Sequence, residues 1–122
     1  MNERELWNEV YDLIGESQKE ISIFDGNESV GYAELEKMNL LSLSTLGVII
    51  IYSSGICVDN WIRILGQKTS VHKGILFYNN YQKENITMEK MMIVAQDVVG
   101  GIFAINMSKY QKGLKKIWYF AP

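Results

Sequence analysis

Short apolar runs of β-strand length recur in the second half of the chain. Two of them, Met91 to Gln96 and Ile102 to Asn106, flank the segment Asp-Val-Val-Gly-Gly. β-Forming residues on both sides of paired glycines predict a hairpin, because glycine tolerates the backbone angles of a tight reversal. A last run, Ile117 to Phe120, has no polar alternation. We therefore expect it to form a final strand that is either buried on both faces or covered by another part of the structure or by a partner.

Further strands are predicted near the middle of the chain. The run from Gly47 to Ser53 is mostly apolar, which is typical of a central strand buried on both faces. Ser53-Ser54-Gly55 then predicts a turn into a strand from Ile56 to Asp59, and Trp61 to Leu65 predicts another strand. Together with the hairpin, these segments predict a compact antiparallel sheet.

Helical periodicity dominates the N-terminal third. Asn2 can cap a helix over residues 3–15, with Glu5 completing a capping box and Gly15 as the stop signal. After a short strand candidate at residues 21–24, Ser29 can cap a second helix. The apolar residues of the two helices recur at helical spacing: they are Leu6, Trp7, Val10, Leu13 and Ile14 in the first, and Tyr32, Ala33, Leu35 and Met38 in the second.

The remaining segments predict connections. Leu40 to Leu46 alternates leucine with serine and threonine, and is compatible with strand, coil or a helical turn. Gln67 to Lys90 is a long polar connection with room for one helical turn, and Lys109 to Lys116 is a basic linker. No repeat, low-complexity segment or internal boundary interrupts the 122 residues. They predict a single α+β domain in which N-terminal helices pack on a mostly antiparallel sheet.

Composition argues against several kinds of chemistry. The chain has one histidine, His72, and one cysteine, Cys57, with no cluster of ligands around either. No metal site, catalytic triad or cofactor site is predicted, and we expect His72 at the surface and Cys57 buried as a small apolar residue. Asp59 and Asp97 sit at predicted strand ends, where carboxylates usually accept hydrogen bonds from turn amides. The sequence therefore predicts a protein that is not an enzyme.

Charge is distributed unevenly, although the net charge is only −2. Residues 1–40 contain ten acidic and three basic residues, a net charge of −7, whereas residues 41–122 contain four acidic and nine basic residues, a net charge of +5. Such asymmetry can steer a charged partner, and a solvated acidic helix beside a basic sheet edge would give the same pattern. The acidic residues of the first helix that would meet a partner are Glu9, Asp12 and Glu16.

Neither a membrane nor a nucleic acid is an expected partner. The N-terminus has no basic region followed by an apolar core, and the longest apolar run, Val48 to Tyr52, is far shorter than the ~20 residues that span a bilayer. We therefore expect a cytoplasmic protein. An isoelectric point of about 5.4 argues against nucleic-acid binding. Basic and aromatic residues that could still grip a single strand are Lys109, Tyr110, Lys112, Lys115, Lys116 and Trp118.

Three blocks of the sequence resemble a bacterial family known only as a domain of unknown function. They are GICVDNWIRILG from Gly55 to Gly66, VAQDVVGGIFAIN from Val94 to Asn106, and IWYFAP from Ile117 to Pro122. The likeness is strongest over residues 44–122. More distantly, the closing hairpin followed by an aromatic strand is similar to the SUKH superfamily. That resemblance implies a SUKH-like α+β fold and protein binding, often by immunity proteins that neutralise bacterial toxins, and it brings no catalytic residues.

The chain departs from the family pattern at three places. Met107-Ser108 stands where the family has paired glycines, and Gln96 stands where it has the first of two aspartates. The family also continues past the Ala-Pro that ends this chain. This last difference predicts a shortened version, or a fragment, of a longer family fold.

Two functional hypotheses follow. The first is a cytosolic protein-interaction module of the immunity type, which would cover the basic active site of a partner such as a toxin domain with a preformed sheet face or the acidic helix. Self-association through the C-terminal strand edge is compatible with it. The alternative is a small-molecule or nucleotide-binding regulatory domain without catalysis, with a pocket near Asp59, Trp61 and Arg63.

Overall fold

The computed structural model describes residues 1–81, 91–107 and 112–122, and arranges them as four helices and six strands. In chain order these elements are α1 (Glu3–Glu16), β1 (Ile21–Asp25), α2 (Glu28–Met38), α3 (Thr45–Tyr52), β2 (Ser53–Val58), β3 (Ile62–Leu65), α4 (Ile75–Tyr81), β4 (Met91–Asp97), β5 (Ile102–Asn106) and β6 (Ile117–Phe120). The predicted α+β class is confirmed.

The six strands form one sheet in the order β1-β2-β3-β4-β5-β6, with every neighbouring pair antiparallel. The predicted closing hairpin is confirmed, because Met91 pairs with Asn106 and Gln96 with Ile102. Gly100 has a φ of 95° in its turn, a backbone angle that side chains rarely allow. The predicted strand at 61–65 is also confirmed, as β3.

Asparagine side chains begin the first two helices. Asn2 Oδ1 accepts a hydrogen bond from the Glu5 amide at 2.9 Å, as the capping pattern predicts. The helix continues one residue past Gly15, to Glu16, so the prediction that Gly15 ends it is wrong. The prediction that Ser29 caps α2 is wrong. Asn27 is the cap, since its Oδ1 accepts the backbone amides of Ser29 and the next residue, and Ser29 lies within the first turn.

The apolar run from Gly47 is a helix, so the prediction of a central strand at 47–53 is wrong. Ser44 Oγ accepts the Gly47 amide at 3.0 Å and begins α3. The helix packs against both α1 and α2, and the side chains of Ile50 and Ile51 are fully buried. A helix that is apolar on every side is stable when neighbours surround it, as they do here. Ser53, predicted to open a turn, is instead the first residue of β2.

The core consists of two groups of buried apolar residues, and α3 contributes to both. The first joins the helices to the β1–β3 part of the sheet, and its buried members are Trp7, Val48, Ile49 and Ile56. The second extends under α2 and α4 to the β4–β5 part: Leu35, Ile50, Ile51, Leu65, Ile75, Met91, Ile93, Val94 and Ala104. Full burial of a large aliphatic side chain contributes roughly 1.5–3 kcal/mol.

Strand β6 is confirmed, but the first of the two expectations for it, burial on both faces, is wrong. Ile117 is 62% exposed and Tyr119 is 49% exposed, whereas Trp118 and Phe120 are half-buried. The reason is the position of β6 at the end of the strand order, where β5 is its one partner among the described strands. Its burial therefore alternates along the strand even though its residue types do not.

The long connection after β3 contains more helix than the single predicted turn. Helix α4 spans Ile75–Tyr81, and Asn79 fastens it to the sheet. Asn79 Nδ2 donates to the Ile93 carbonyl, and Asn79 Oδ1 accepts the Ile93 amide, both at 2.9 Å. The rest of the predicted connection, residues 82–90, lies outside the described residues, as do residues 108–111 of the basic linker region. Over the described ranges, no helix has the length and apolar character needed to cross a bilayer.

Candidate functional site

Trp61 and Arg63 line one small cavity, but Asp59 does not join them. The cavity has a volume of about 160 Å³. Asp59 lies in the β2–β3 turn with a φ of 54°, and its Oδ1 accepts the amide of Glu20 at 2.9 Å. Small-molecule sites usually enclose roughly 300–1,000 Å³. This cavity is therefore too small for a nucleotide and has room for a small ion or a few waters.

The guanidinium of Arg63 ties neighbouring backbone segments together. Its Nη2 donates to the carbonyls of Ser54 and Lys73, each at 2.9 Å. Its Nε is buried and has no hydrogen-bond partner among the described residues. Burial lowers the pKa of the guanidinium, and the nearby Tyr78 hydroxyl acts in the opposite direction. These contacts give Arg63 a structural role that links β3, β2 and the loop before α4.

The three acidic residues predicted to face a partner are all exposed on α1. Glu9, Asp12 and Glu16 form no ion pair or side-chain hydrogen bond within the part of the chain that the structure describes. At about 100° per residue, they lie on the side of the helix opposite the buried Trp7. Their carboxylates are therefore directed to solvent and free to act on an approaching molecule.

An aromatic cavity of about 430 Å³ lies between α1 and β1, and we call it the α1–β1 cavity. Its lining includes the rings of Trp7, Tyr11 and Tyr52 and the carboxylate of Asp25. The Trp7 and Tyr52 rings stack at 5.7 Å, and Tyr11 meets Trp7 edge-on at 6.3 Å. The side chain of Asp25, which is exposed, forms no ion pair or side-chain hydrogen bond with another described residue. The cavity thus combines aromatic faces with an uncompensated negative charge.

One cation of the chain already contacts Tyr52, a residue that lines this cavity. The guanidinium carbon of Arg4 lies 4.4 Å from the centroid of the Tyr52 ring, and Arg4 Nη2 lies 2.6 Å from Glu28 Oε1. Burial raises the pKa of Tyr52, while the Arg4 charge opposes that shift. The arrangement is a cation–π contact stabilised by a carboxylate.

A second surface, the sheet groove, runs across strands β3 to β6 beside α3. It has a volume of about 440 Å³ and an almost wholly apolar lining that includes Ile64, Phe103, Ile105 and Ile117. The helices cover the β1–β3 end of this face and leave the β6 end open, which is why Ile117 is largely exposed. Exposed apolar surface of this kind often marks a contact with another protein.

The closing hairpin is locked by a carboxylate. Asp97 Oδ1 accepts the amides of Val99 and Gly101, and Asp97 Oδ2 accepts the hydroxyl of Tyr119 at 2.7 Å. The expectation that Asp97 bonds to turn amides is confirmed. The hydrogen bond from Tyr119 lowers the pKa of Asp97 and raises that of the phenol. Asp97 therefore fastens β6 to the β4–β5 turn.

The other candidate groups are scattered. His72 is half-buried and stacks on Phe24 at 4.8 Å, and Cys57 is a half-buried free thiol rather than a fully buried residue. Across residues 1–81, 91–107 and 112–122, no three His, Cys, Asp or Glu side chains gather in a way that could hold a metal ion. Of the predicted nucleic-acid residues, Lys109 and Tyr110 lie outside the described residues. The others are placed as follows: Lys112, Lys115 and Lys116 are exposed and Trp118 is half-buried.

The whole length of the chain matches a known family. A model described as "Protein of unknown function DUF2625" covers residues 1–122. The chain belongs to this family. An uncharacterised protein of Haemophilus influenzae (strain ATCC 51907 / DSM 11121 / KW20 / Rd) is 27% identical over 123 residues, which cover 98% of this chain and 54% of that protein. The chain therefore spans about half the length of this curated relative.

The match to DUF2625 confirms the resemblance that three sequence blocks carry, and it extends to the N-terminal third. The more distant SUKH likeness stays a prediction. Two features of this DUF2625 fold have weak sequence signals. The α1–β1 cavity uses Trp7 and Tyr11, whose i, i+4 spacing is visible, but Tyr52 joins them only because the run before it is a helix. The buried carboxylate of Glu34 sits on a helix with weak amphipathic character, so its burial is not apparent from spacing.

Proposed function

We propose that this DUF2625 chain is a protein-binding module that recognises a basic partner through the α1–β1 cavity. The observation that carries the proposal is the meeting of three aromatic rings and the Asp25 carboxylate around one cavity of about 430 Å³. A lysine or arginine side chain inserted there would contact ring faces and a negative charge together. Cation–π contacts contribute about 0.5–1 kcal/mol at exposed sites and about 2 kcal/mol when desolvated.

The chain's own Arg4 supports this chemistry. Its guanidinium stacks on Tyr52 while pairing with Glu28, so the same corner of the molecule already favours a cation between a ring and a carboxylate. An incoming basic side chain would use Trp7, Tyr11 and Asp25 in the equivalent way. Tyr11 is 57% exposed and would lose much of its water contact on binding.

The charge distribution supports a basic rather than an acidic partner. Residues 1–40 carry a net charge of −7, and Glu9, Asp12 and Glu16 project from the same helix that supplies Trp7 and Tyr11. The three acids face away from Trp7, so they would act through the long-range field of this end of the molecule, which accelerates the association of a positive partner and has a smaller effect on dissociation. The three acids therefore act in steering, and the cavity acts in holding.

The specific form of this proposal is an immunity-type role, in which the chain covers the basic active site of a toxin domain. Here the mechanism is steric, because a cavity that binds a lysine or arginine of the partner makes that residue inaccessible to its substrate. Co-expression tests this role directly. If the neighbouring gene encodes a growth-inhibiting protein, the chain should restore growth, and a Tyr11→Ala variant should restore it less well.

The binding test uses protein captured by cross-linking from the source organism, then purified and measured by surface plasmon resonance. We expect a partner with a basic isoelectric point. Tyr11→Ala and Asp25→Asn should each weaken its affinity by about tenfold, as for an interface residue worth more than 1 kcal/mol. Replacing Glu9, Asp12 and Glu16 together with serine should slow association and flatten its salt dependence.

Trp61→Ala is the matched control, because Trp61 is half-exposed like Tyr11 but lies away from the cavity. It should leave affinity unchanged. The proposal fails if the captured partner is acidic, or if it binds Tyr11→Ala and Asp25→Asn as tightly as the unmodified chain. If instead Ile117→Ser alone weakens binding, the sheet groove is the docking surface and the assignment to the cavity is wrong.

A further inference from the structure

A buried carboxylate lines a third cavity, which we call the Glu34 cavity. Glu34 lies on α2 and is only 3% exposed. The cavity, about 440 Å³ in volume, lies between Glu34 and the loop of residues 68–74, and Phe77 of α4 forms part of its wall. This volume is within the range of small-molecule sites. No residue of the α1–β1 cavity contributes to it.

Contacts within the fold stabilise the Glu34 carboxylate only weakly. Among the described residues, its hydrogen-bond partner is the Lys68 amide, at 3.2 Å from one oxygen and 3.4 Å from the other. Both distances are longer than the 2.7–2.9 Å of a strong charge-assisted bond. No described residue forms an ion pair with it. A glutamine would accept the same amide without the cost of burying a charge.

Burial of Glu34 is the largest influence on its ionisation. It raises the pKa of the carboxyl, against the hydrogen bond from the Lys68 amide and the charges of Lys68 and Lys37. A carboxyl group in this condition gains free energy from any donor that enters the cavity, because a buried charge is costly until it is paired and hydrogen-bonded.

The mouth of the cavity carries the opposite charge. Lys68 and Lys73 line it, and both are exposed. The Lys73 ammonium lies 4.2 Å from the centroid of the Phe77 ring, which holds it at the cavity wall. The loop between the two lysines is closed by Thr69, whose hydroxyl accepts the amides of Val71 and His72. The cavity is therefore negative at its floor and positive at its rim.

We propose that the Glu34 cavity binds a small molecule that has a planar pair of N–H donors at one end and an anionic group at the other. The two carboxylate oxygens of Glu34 accept the paired donors, the geometry in which guanidinium and carboxylate groups meet most favourably. Lys68 and Lys73 bind the anionic group at the rim. Two common sources of this chemistry are guanidino acids such as arginine and guanine nucleotides.

Isothermal titration calorimetry with defined probes tests this inference. The probes are L-arginine and GMP, each paired with a compound that lacks the anion: agmatine for arginine and guanosine for GMP. We expect L-arginine or GMP, which bear the anionic group, to bind about fivefold more tightly than the partner compound that lacks it, since an exposed ion pair contributes up to about 1 kcal/mol. The pair that responds identifies which source fits. The proposal is overturned if neither L-arginine nor GMP gives a binding heat at millimolar concentration.

Variants separate the two ends of the site. Glu34→Gln keeps an acceptor for the Lys68 amide and should weaken the binding probe by at least about tenfold. Glu36→Gln, two residues along the same helix and exposed, should leave binding unchanged. Lys68→Ala should weaken binding of the compound that bears the anionic group and should not weaken binding of its partner, agmatine or guanosine, which lacks that group. Equal binding to folded Glu34→Gln, or equal losses for both compounds in Lys68→Ala, would show that the assignment is wrong.

Discussion

Gln67 connects three elements that are distant in sequence, and its loss should be costly. The side chain is 1% exposed. Its Nε2 donates to the carbonyls of Ile50 and Ile51, at 2.8 and 3.0 Å, where α3 ends. Its Oε1 accepts the amide of Asn27, the cap of α2, at 2.7 Å. One amide group therefore satisfies backbone groups at the end of one helix and the start of another.

The substitution Gln67→Met keeps the length of the side chain and removes all three hydrogen bonds. A buried backbone group left without a partner costs about 1–3 kcal/mol. With about 1 kcal/mol for each bond, the free energy of unfolding should fall by about 3 kcal/mol. Urea denaturation followed by circular dichroism measures this loss. The control Gln18→Met changes an exposed glutamine and should stay within about 0.5 kcal/mol of the parent.

The substitution Gln67→Glu tests the direction of these bonds. A carboxylate would face two carbonyl oxygens, so the pKa of the introduced carboxyl should be raised in the folded state. A raised pKa means that the folded protein binds the proton more tightly, so the loss of stability relative to the parent should grow as pH rises above the ordinary pKa of a glutamate. A loss below about 1 kcal/mol in Gln67→Met, or a pH-independent deficit in Gln67→Glu, would refute the reasoning.

Three further outcomes are expected. Burial raises the pKa of Glu34 above its ordinary 4.5, so the folded state holds that proton more tightly than the unfolded chain, and the contribution of Glu34 to stability falls as pH rises above 4.5. Glu34→Gln should therefore increase the free energy of unfolding at pH 7 and have no such effect well below pH 4.5, as measured by urea denaturation at both pH values. Gly31→Ala should lose about 2 kcal/mol or more, since a Cβ there would collide with the α3 backbone, whereas Gly15→Ala, with open space around it, should gain about 0.5–1 kcal/mol, both measured by urea denaturation. Tyr119→Phe removes the hydrogen bond that lowers the pKa of Asp97, so that pKa should move up toward its ordinary value of 3.8. A carboxyl-carbon NMR titration would detect the change.

The elements that the sequence predicts well are those fixed by nearby residues. The Asn2 cap and the apolar spacing after it predict both ends of α1 to within one helical turn. The hairpin of residues 91–106 depends on a glycine turn and two adjacent strands, so its pairing is also local. Each of these signals acts over a few residues, which is the range that a sequence pattern can report.

The apolar run before Tyr52 is different, because its neighbours decide its conformation. A short continuous apolar segment suits a buried strand and a buried helix equally well. Ser44 supplies the cap, and Gln67 satisfies the carbonyls at the other end from a position many residues away. Packing of α3 between α1 and α2 completes the environment. None of these long-range partners is visible in the run itself.

The candidate sites follow the same division. The exposed acids of α1 could be predicted from helical spacing, and the structure places them at the surface. The Glu34 cavity could not, because it forms where α2 meets a loop that begins 34 residues later at Lys68. Asp59 does not line the predicted pocket with Trp61 and Arg63, because its left-handed turn conformation directs the carboxylate to the backbone amide of Glu20. Side-chain direction in turns depends on backbone angles that residue type alone does not specify.

The strand order has a mechanical consequence. Among the described strands, each bonds to the strands before and after it in sequence, and β6 bonds to β5. A force that pulls on β6 would therefore separate it from β5 one residue pair at a time, without shearing an interior pair. The β1–β5 pairing would remain, and the next strand would then become the edge. An unfolding machine that pulls on β6 would therefore open the sheet strand by strand. The hydrogen bond between Tyr119 and Asp97 would be among the first contacts to break.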